Sequence, residues 1–136
     1  MHGTVGGAMG IAHLVEHLRS ELHEDLRLCV EYADEEVQPH YLRSDVDPAA
    51  AREHAHLIRR FYIGQESVRR HEKQPSGPGS LRGSVHYFEE LVAVVVPLPT
   101  DATIGVFLDG DSAAIPEPRL SRWSNEWAQK ATDCVR

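Results

Sequence analysis

Six consecutive apolar residues, 91–96, constrain the fold of this chain more than any other segment. A strand with one face in water alternates apolar and polar side chains, whereas an unbroken apolar run is typical of a strand that is covered on both faces. The run is also far too short to cross a lipid bilayer. It therefore predicts a central strand in a sheet that carries helices on both faces.

Four further segments are predicted to be strands of the same sheet. Apolar and polar residues alternate over 26–32, which indicates a strand with one buried face, and 37–43 follows it after an acidic turn. Pro39 has no amide hydrogen to donate, so the second strand is expected at a sheet edge or with a bulge. Segments 83–88 and 103–108 are predicted to be the remaining two strands of the sheet. Because short turns join these strands, the sheet is predicted to be antiparallel.

Apolar side chains at helical spacing predict three helices. The first begins at Ile11, and the second spans about 48–70 behind an Asp47 cap. The third spans about 118–133, and its apolar stripe consists of Leu120, Trp123, Trp127 and Ala131. The predicted order is α-β-β-α-β-β-β-α, an α+β fold with a five-stranded antiparallel sheet.

Length and composition predict one domain. A chain of 136 residues, 41% of them hydrophobic, is long enough to bury a core without disulfides or a structural metal. Residues 1–10 are rich in glycine and are predicted to be disordered, which leaves a single domain over 11–136. Cys29 and Cys134 lack the spacing of a metal site or a disulfide framework, so both are expected to be free thiols.

The charge balance limits the classes of partner. Acidic residues number 21 against 14 basic ones, which gives a net charge of −7. An acidic surface keeps a protein soluble and repels nucleic acid. The N-terminal segment lacks the basic start and apolar stretch of a signal peptide. We therefore predict a cytoplasmic protein without a membrane partner, for which nucleic acid is a disfavoured ligand.

The chain contains one catalytic pattern, H-x-x-E-H, at His13, Glu16 and His17. On a helix the two imidazoles would lie one turn apart and could hold zinc, with Glu16 as general base. The segment resembles the zinc site of pitrilysin-type metallopeptidases. That resemblance implies a third ligand well downstream, at Glu89 or Glu90.

Three observations favour a simpler interpretation of this pattern. The resemblance covers only the motif and its neighbours, no strand precedes the motif, and those peptidases need much larger paired domains. On a helical wheel His13 and His17 also point away from the apolar stripe, toward solvent. We therefore interpret the segment as an exposed helix face and keep a zinc-dependent hydrolase as an alternative.

The second helix and the third strand carry the predicted partner-binding residues. They are Arg59, Arg60, Phe61, Tyr62 and Tyr87. Aromatic residues and arginine are enriched at protein interfaces. The same arginines could alternatively serve a nucleic-acid-binding module, although neighbouring glutamates dilute their charge.

The order of elements resembles the roadblock, longin and profilin-like group, in which a five-stranded antiparallel sheet has a helix before, within and after it. Members of that group are mostly not enzymes. The resemblance implies a protein that dimerises and that scaffolds or regulates GTPases and other partners, although a fold alone does not determine function.

A second resemblance rests on five segments distributed along the chain. They are 14–19, 25–27, 41–46, 88–92 and 105–109, and they are similar to a family of small uncharacterised proteins from haloarchaea. That family offers no catalytic motif to transfer, and no cofactor is predicted. We therefore predict a non-catalytic regulatory or scaffolding module that forms a homodimer and binds a second protein.

Overall fold

Five antiparallel strands form a single sheet within the residues that the computed structural model describes. These residues are 2–33, 36–63, 83–98, 102–111, 126–127 and 129–131, with the backbone alone at 2–9 and 62–63. The strands are β1 (Leu26–Ala33), β2 (Glu36–Leu42), β3 (Ser84–Tyr87), β4 (Leu91–Pro97) and β5 (Thr103–Asp109). Their order across the sheet is β2-β1-β5-β4-β3. The predicted α+β class with an antiparallel sheet is confirmed.

The long apolar run forms most of β4, and its residues 91–96 are all buried. The prediction of a strand covered on both faces is therefore confirmed. The middle position of the sheet belongs to β5, which is buried just as completely over 103–108. Thr103 and Gly105 interrupt the apolar character of β5, so its sequence signal for burial is weaker than that of β4.

The β2 edge of the sheet carries both features that Pro39 predicts. β2 is the outermost strand on its side. The register shifts between Cys29 and Val30, because Cys29 pairs with Tyr41 and Val30 pairs with Pro39, which leaves His40 as the extra residue of a bulge. A proline and a bulge together make an edge strand a poor template for pairing with another strand.

Two long helices flank the sheet, α1 (His2–Leu22) and α2 (Pro48–Ile58). The side chain of Asp47 caps α2 by accepting a hydrogen bond from a backbone amide of the first turn at 3.1 Å. The backbone continues beyond α2 as a π-helix, Arg59–Ile63. The predicted continuation of this helix over 64–70 lies outside the described residues. No helix in the described part of the chain has the length and hydropathy of a membrane span.

One face of the sheet is covered by α1 together with a C-terminal segment, which consists of the helical residues 126–127 and 129–131. Trp127 of this segment is only 1% exposed and belongs to the same core as the apolar stripe of α1. The predicted stripe residues Leu120 and Trp123 lie outside the described residues. We call this side the α1 face.

The backbone of the glycine-rich N-terminal segment is helical from His2 onward, whereas the sequence predicts disorder over 1–10. Tertiary packing stabilises the helix at Gly10. A Cβ atom at Gly10 would lie 1.7 Å from the carbonyl oxygen of Ala131, so α1 and the C-terminal segment make direct backbone contact there. Such a close approach requires glycine and offsets its low intrinsic helix propensity.

The opposite side of the sheet, which we call the α2 face, has its own core. Ala51, Ala55 and Ile58 of α2 pack there with Phe107 of β5. Tyr32 of β1 donates a hydrogen bond to the carbonyl oxygen of Ala55 at 2.8 Å. This buried bond fixes the position of α2 on the sheet.

Candidate functional site

The end of α2, the π-helix and β3 together form a surface with large exposed apolar side chains, which we call the α2–β3 surface. They are Leu57 (42% exposed), Phe61 (52%), Tyr87 (63%) and Phe88 (37%). Leu57, Tyr87 and Phe88 line one groove of about 530 Å³ together with His54. Phe61 follows Leu57 by four residues and therefore lies on the same side of the helix. Apolar patches of this kind mark interaction sites on protein surfaces.

Four of the five predicted partner-binding residues lie on this surface, and their role in binding stays a prediction. Arg59 is half-buried and Arg60 is exposed, and both belong to the π-helix. The guanidinium of Arg60 lies 5.8 Å from the centre of the Phe61 ring, a cation–π distance. Tyr87 lies on β3, and the side chain of Tyr62 is outside the described residues. Single π turns in helices occur frequently at functional sites, which fits an interaction surface here.

The α2–β3 surface is balanced in charge although the chain is acidic. Segments 54–63 and 83–90 carry two arginines and two glutamates, whereas the whole chain has a net charge of −7. These residues are Arg59, Arg60, Glu89 and Glu90. A balanced surface does not repel a second copy of itself.

A second candidate site is a cluster of arginines and aspartates where the ends of β1, β2 and β5 meet. Arg43, directly after β2, donates to the two carboxylate oxygens of Asp109 at 2.9 and 3.1 Å. Arg27 of β1 donates to the same carboxylate at 3.2 Å. Arg43 also donates to Asp45 at 2.6 Å and to the carbonyl oxygen of Glu24. One guanidinium thus joins the end of β5 to the turn after α1.

Electrostatics keep this cluster, which we call the clamp, ionised at neutral pH. The hydrogen bond from Arg43 holds the pKa of Asp109 below its ordinary value despite partial burial, and Arg27 adds to this effect. Arg43 likewise lowers the pKa of the exposed Asp45. The two aspartates in turn raise the pKa of Arg43. Because carboxylates occupy Arg43, the clamp is suited to hold the strand ends together rather than to bind an anion.

An open groove of about 1150 Å³ surrounds the clamp, between α1 and the end of β2. Its lining includes five carboxylates and two arginines. These residues are Glu16, Glu24, Asp25, Asp45, Asp109, Arg19 and Arg43. Such a charge balance disfavours an anionic ligand such as nucleic acid.

The structure does not bring together the residues that the alternative zinc hydrolase needs. His13, Glu16 and His17 lie on α1. Glu89 and Glu90 precede β4 and line the groove of the α2–β3 surface. Within the described residues, His17 is grouped with other carboxylates at metal-binding distance, and neither Glu89 nor Glu90 belongs to that group.

The prediction that His13 and His17 face solvent is wrong, because both are half-buried. The side chain of His17 is 21% exposed, and its Nε2 atom lies 3.7 Å from Glu126 Oε1 of the C-terminal segment. Glu21, one turn further along α1, lies 3.5 Å from the same nitrogen. A helical wheel of α1 alone cannot show this burial, because the C-terminal segment supplies it.

Cys29 offers no support for nucleophilic chemistry. It is completely buried in β1, and burial, with a smaller contribution from Glu31, raises the pKa of its thiol to about 12. A neutral thiol is a poor nucleophile and a poor metal ligand. Cys29 is therefore a core side chain, and Cys134 lies outside the described residues.

The sequence patterns did not predict the clamp or the carboxylates that lie near His17. The clamp residues all fall in segments 25–27, 41–46 and 105–109, which carry the second resemblance described above. Their convergence depends on the pairing of β1 with β5, which lie far apart in the chain. The segments that hold the clamp residues were therefore recognisable in the sequence. The sheet order is what shows that these residues meet.

Comparison with known proteins supports the fold. The gliding protein MglB from Thermus thermophilus superimposes with a TM-score of 0.65 at 12% sequence identity, over 95% of this chain and 90% of that chain. An MglB structure with a tetrameric arrangement gives a TM-score of 0.64 at 15% identity, over 96% of this chain and 90% of that chain. No curated protein matches the chain at a significant level. The predicted roadblock-like architecture is confirmed by these likenesses, while a haloarchaeal source stays a prediction.

A family model matches most of the chain, residues 12–121. The matched range includes β1–β5, α2 and the clamp residues. The chain therefore belongs to the family described as a domain of unknown function, DUF7522.

Proposed function

We propose that this chain is a non-catalytic regulatory or scaffolding module, which acts as a homodimer in the cytoplasm and binds a further protein. The α2–β3 surface is the interface between the two copies. The observation that carries the proposal is the set of exposed apolar side chains on that surface, Leu57, Phe61, Tyr87 and Phe88. Three of them, Leu57, Tyr87 and Phe88, line one groove.

The energy available from this surface is of the right size for a dimer. Full burial of a large apolar side chain contributes about 1.5–3 kcal/mol. Two copies present eight such side chains, each partly buried already, so their remaining burial supplies on the order of 10 kcal/mol. Association costs about 4–15 kcal/mol in lost translational and rotational freedom. Apolar burial and strand pairing together can therefore hold two copies.

The position of β3 favours a two-fold arrangement. Within the described residues β3 is the last strand on its side of the sheet. A two-fold axis beside β3 pairs it antiparallel with its own copy and joins the two sheets, which makes an interface that is the same on both chains. At the opposite edge, Pro39 and the bulge in β2 disfavour such pairing.

Charge supports this interface, and similarity supports self-association. The α2–β3 surface is balanced in charge, so two copies approach without repulsion there despite the net charge of −7. A structurally similar protein, MglB, occurs in a tetrameric arrangement. The resemblance to the roadblock group implies that this chain dimerises and regulates other proteins.

The alternative functions receive less support. For the zinc hydrolase, neither Glu89 nor Glu90 lies with His17 in a metal-binding group within the described residues. For nucleic-acid binding, Arg59 and Arg60 share their surface with an equal number of glutamates, and the larger groove is acidic.

Size-exclusion chromatography with light scattering tests the dimer. Light scattering should give the wild type a mass of about twice the 15.2 kDa of one chain. Tyr87→Asp places a charge in the apolar set and should give a monomer. Gln38→Asp adds the same charge to an exposed position on β2 and is the matched control, so its mass should stay that of the dimer.

Circular dichroism of each variant establishes that it is folded before its mass is interpreted. A wild-type monomer at high protein concentration would contradict the proposal. A dimer that persists in Tyr87→Asp and dissociates in Gln38→Asp would show that the interface lies at the β2 edge of the sheet.

A further inference from the structure

Three metal-binding side chains from two separate parts of the chain meet on the α1 face. His17 and Glu21 lie one turn apart on α1, and Glu126 comes from the C-terminal segment. The Nε2 atom of His17 lies 3.5 Å from Glu21 Oε1 and 3.7 Å from Glu126 Oε1. One ligand atom from each of the three residues falls within 4.8 Å of the other two.

The imidazole nitrogen at the centre of this cluster is buried. Among the residues that the structure describes, Nε2 of His17 has no hydrogen-bond partner. Its distances to both carboxylates exceed the range of about 2.7–3.2 Å for such bonds. A buried polar atom left without a partner costs about 1–3 kcal/mol, so the site favours an additional bonded atom between these groups.

The separations match those of ligands around one metal ion. Zinc bonds to imidazole nitrogen and carboxylate oxygen are about 2.0–2.2 Å long, so two ligands at the tetrahedral angle lie about 3.4 Å apart. The observed 3.5 and 3.7 Å are close to this value. Two carboxylates also neutralise a divalent cation.

We propose that His17, Glu21 and Glu126 bind one zinc ion, which joins α1 to the C-terminal segment at the rim of the α1 face. The ligand set shares only His17 with the H-x-x-E-H pattern. Glu21 is 36% exposed, so the open side of the site can accept a water molecule as fourth ligand. The ion links two helical elements, and metal binding therefore stabilises their packing.

Isothermal titration of tag-free, metal-free protein with zinc chloride tests the site. The wild type should bind one zinc per chain. Glu21→Gln and His17→Gln each remove a direct ligand and should weaken binding by more than the roughly 10–100-fold that loss of an outer partner costs. Glu16→Gln and His13→Gln alter the same helix at residues outside the ligand set and should bind zinc as the wild type does.

Thermal unfolding gives an independent readout. Zinc should raise the midpoint of the wild type and of Glu16→Gln, and should leave that of Glu21→Gln unchanged. Glu21 is exposed, so its variant should fold even if His17→Gln does not. Absence of zinc binding by the wild type overturns the proposal. Binding that survives Glu21→Gln and is lost in His13→Gln also overturns it, because the ligands would then be those of the H-x-x-E-H pattern.

Discussion

The two faces of the sheet are closed to different extents. On the α1 face a helix of 21 residues and the C-terminal segment bury Trp127 to 1% exposure. On the α2 face a helix of 11 residues leaves Leu57, Phe61 and Tyr87 between 42% and 63% exposed. Within the described residues, the sheet thus has one face that α1 and the C-terminal segment close and one that α2 leaves partly open.

This difference separates stability from function. A face that is closed by the chain's own elements contributes to folding, whereas apolar side chains left in contact with water contribute only when a partner covers them. We therefore expect substitutions on the α1 face to change the free energy of unfolding. Substitutions in the exposed part of the α2 face should change association.

The largest effect is expected for Trp127→Ala. Removing a large aromatic side chain from a core costs about 3–5 kcal/mol of unfolding free energy. Urea denaturation followed by circular dichroism measures this loss. A loss below about 0.5 kcal/mol, the level of an ordinary surface substitution, would show that the C-terminal segment does not close the α1 face.

An intermediate effect is expected for Gly105→Ala, which tests the buried part of the α2 face. The new Cβ atom would lie 2.8 Å from Cε2 of Tyr32, whose hydroxyl holds Ala55 of α2. Overpacking of this kind costs about 1–3 kcal/mol. Urea denaturation should show that loss, and amide exchange in α2 should accelerate. Unchanged stability would mean that Tyr32 moves freely and does not anchor α2.

A smaller, pH-dependent effect is expected for Asp109→Asn, which tests whether the clamp supports the α1 face. Charged hydrogen bonds of this kind contribute about 1–3 kcal/mol, and partial exposure places the clamp near the lower limit. The pKa of Asp109 is lower in the folded state than its ordinary value of 3.8, so its contribution is full above that value. The contribution is lost as the pH falls through the folded pKa.

Urea denaturation from pH 7 to pH 2 measures this dependence. The wild type should be more stable than Asp109→Asn at pH 7, and the difference should shrink in the acid range. A difference that is the same at all pH values would contradict an ionic role for Asp109.

The smallest effect on folding is expected for Tyr87→Ala. Its side chain is 63% exposed, so in dilute, monomeric protein the unfolding free energy should change by less than about 0.5 kcal/mol. Urea denaturation at low protein concentration measures this change. A loss of several kcal/mol would place Tyr87 in the folding core and remove the distinction between the two faces.

Local sequence patterns were sufficient to predict most of the fold. Alternation over 26–32, the apolar run over 91–96 and the Asp47 cap each depend on a few neighbouring residues, and the structure confirms the strands and the helix start that they predict. Pro39 predicted an edge position or a bulge for β2, because a missing amide hydrogen has the same consequence in any sheet, and the structure shows both.

The features that sequence could not supply depend on contacts between distant segments. Residues 2–10 are helical although glycine disfavours helices, and Gly10 packs against the backbone of the distant Ala131. His17 is half-buried because the C-terminal segment lies over it. The clamp forms only because β1 pairs with β5, which brings Arg27 beside Asp109.

Amide hydrogen exchange at two protein concentrations tests most directly whether a second copy completes the α2 face. We predict that raising the concentration slows exchange in β3 and around Phe61, and leaves exchange in β2 unchanged. Equal exchange in β3 at both concentrations, or protection that appears in β2 instead, would contradict the account.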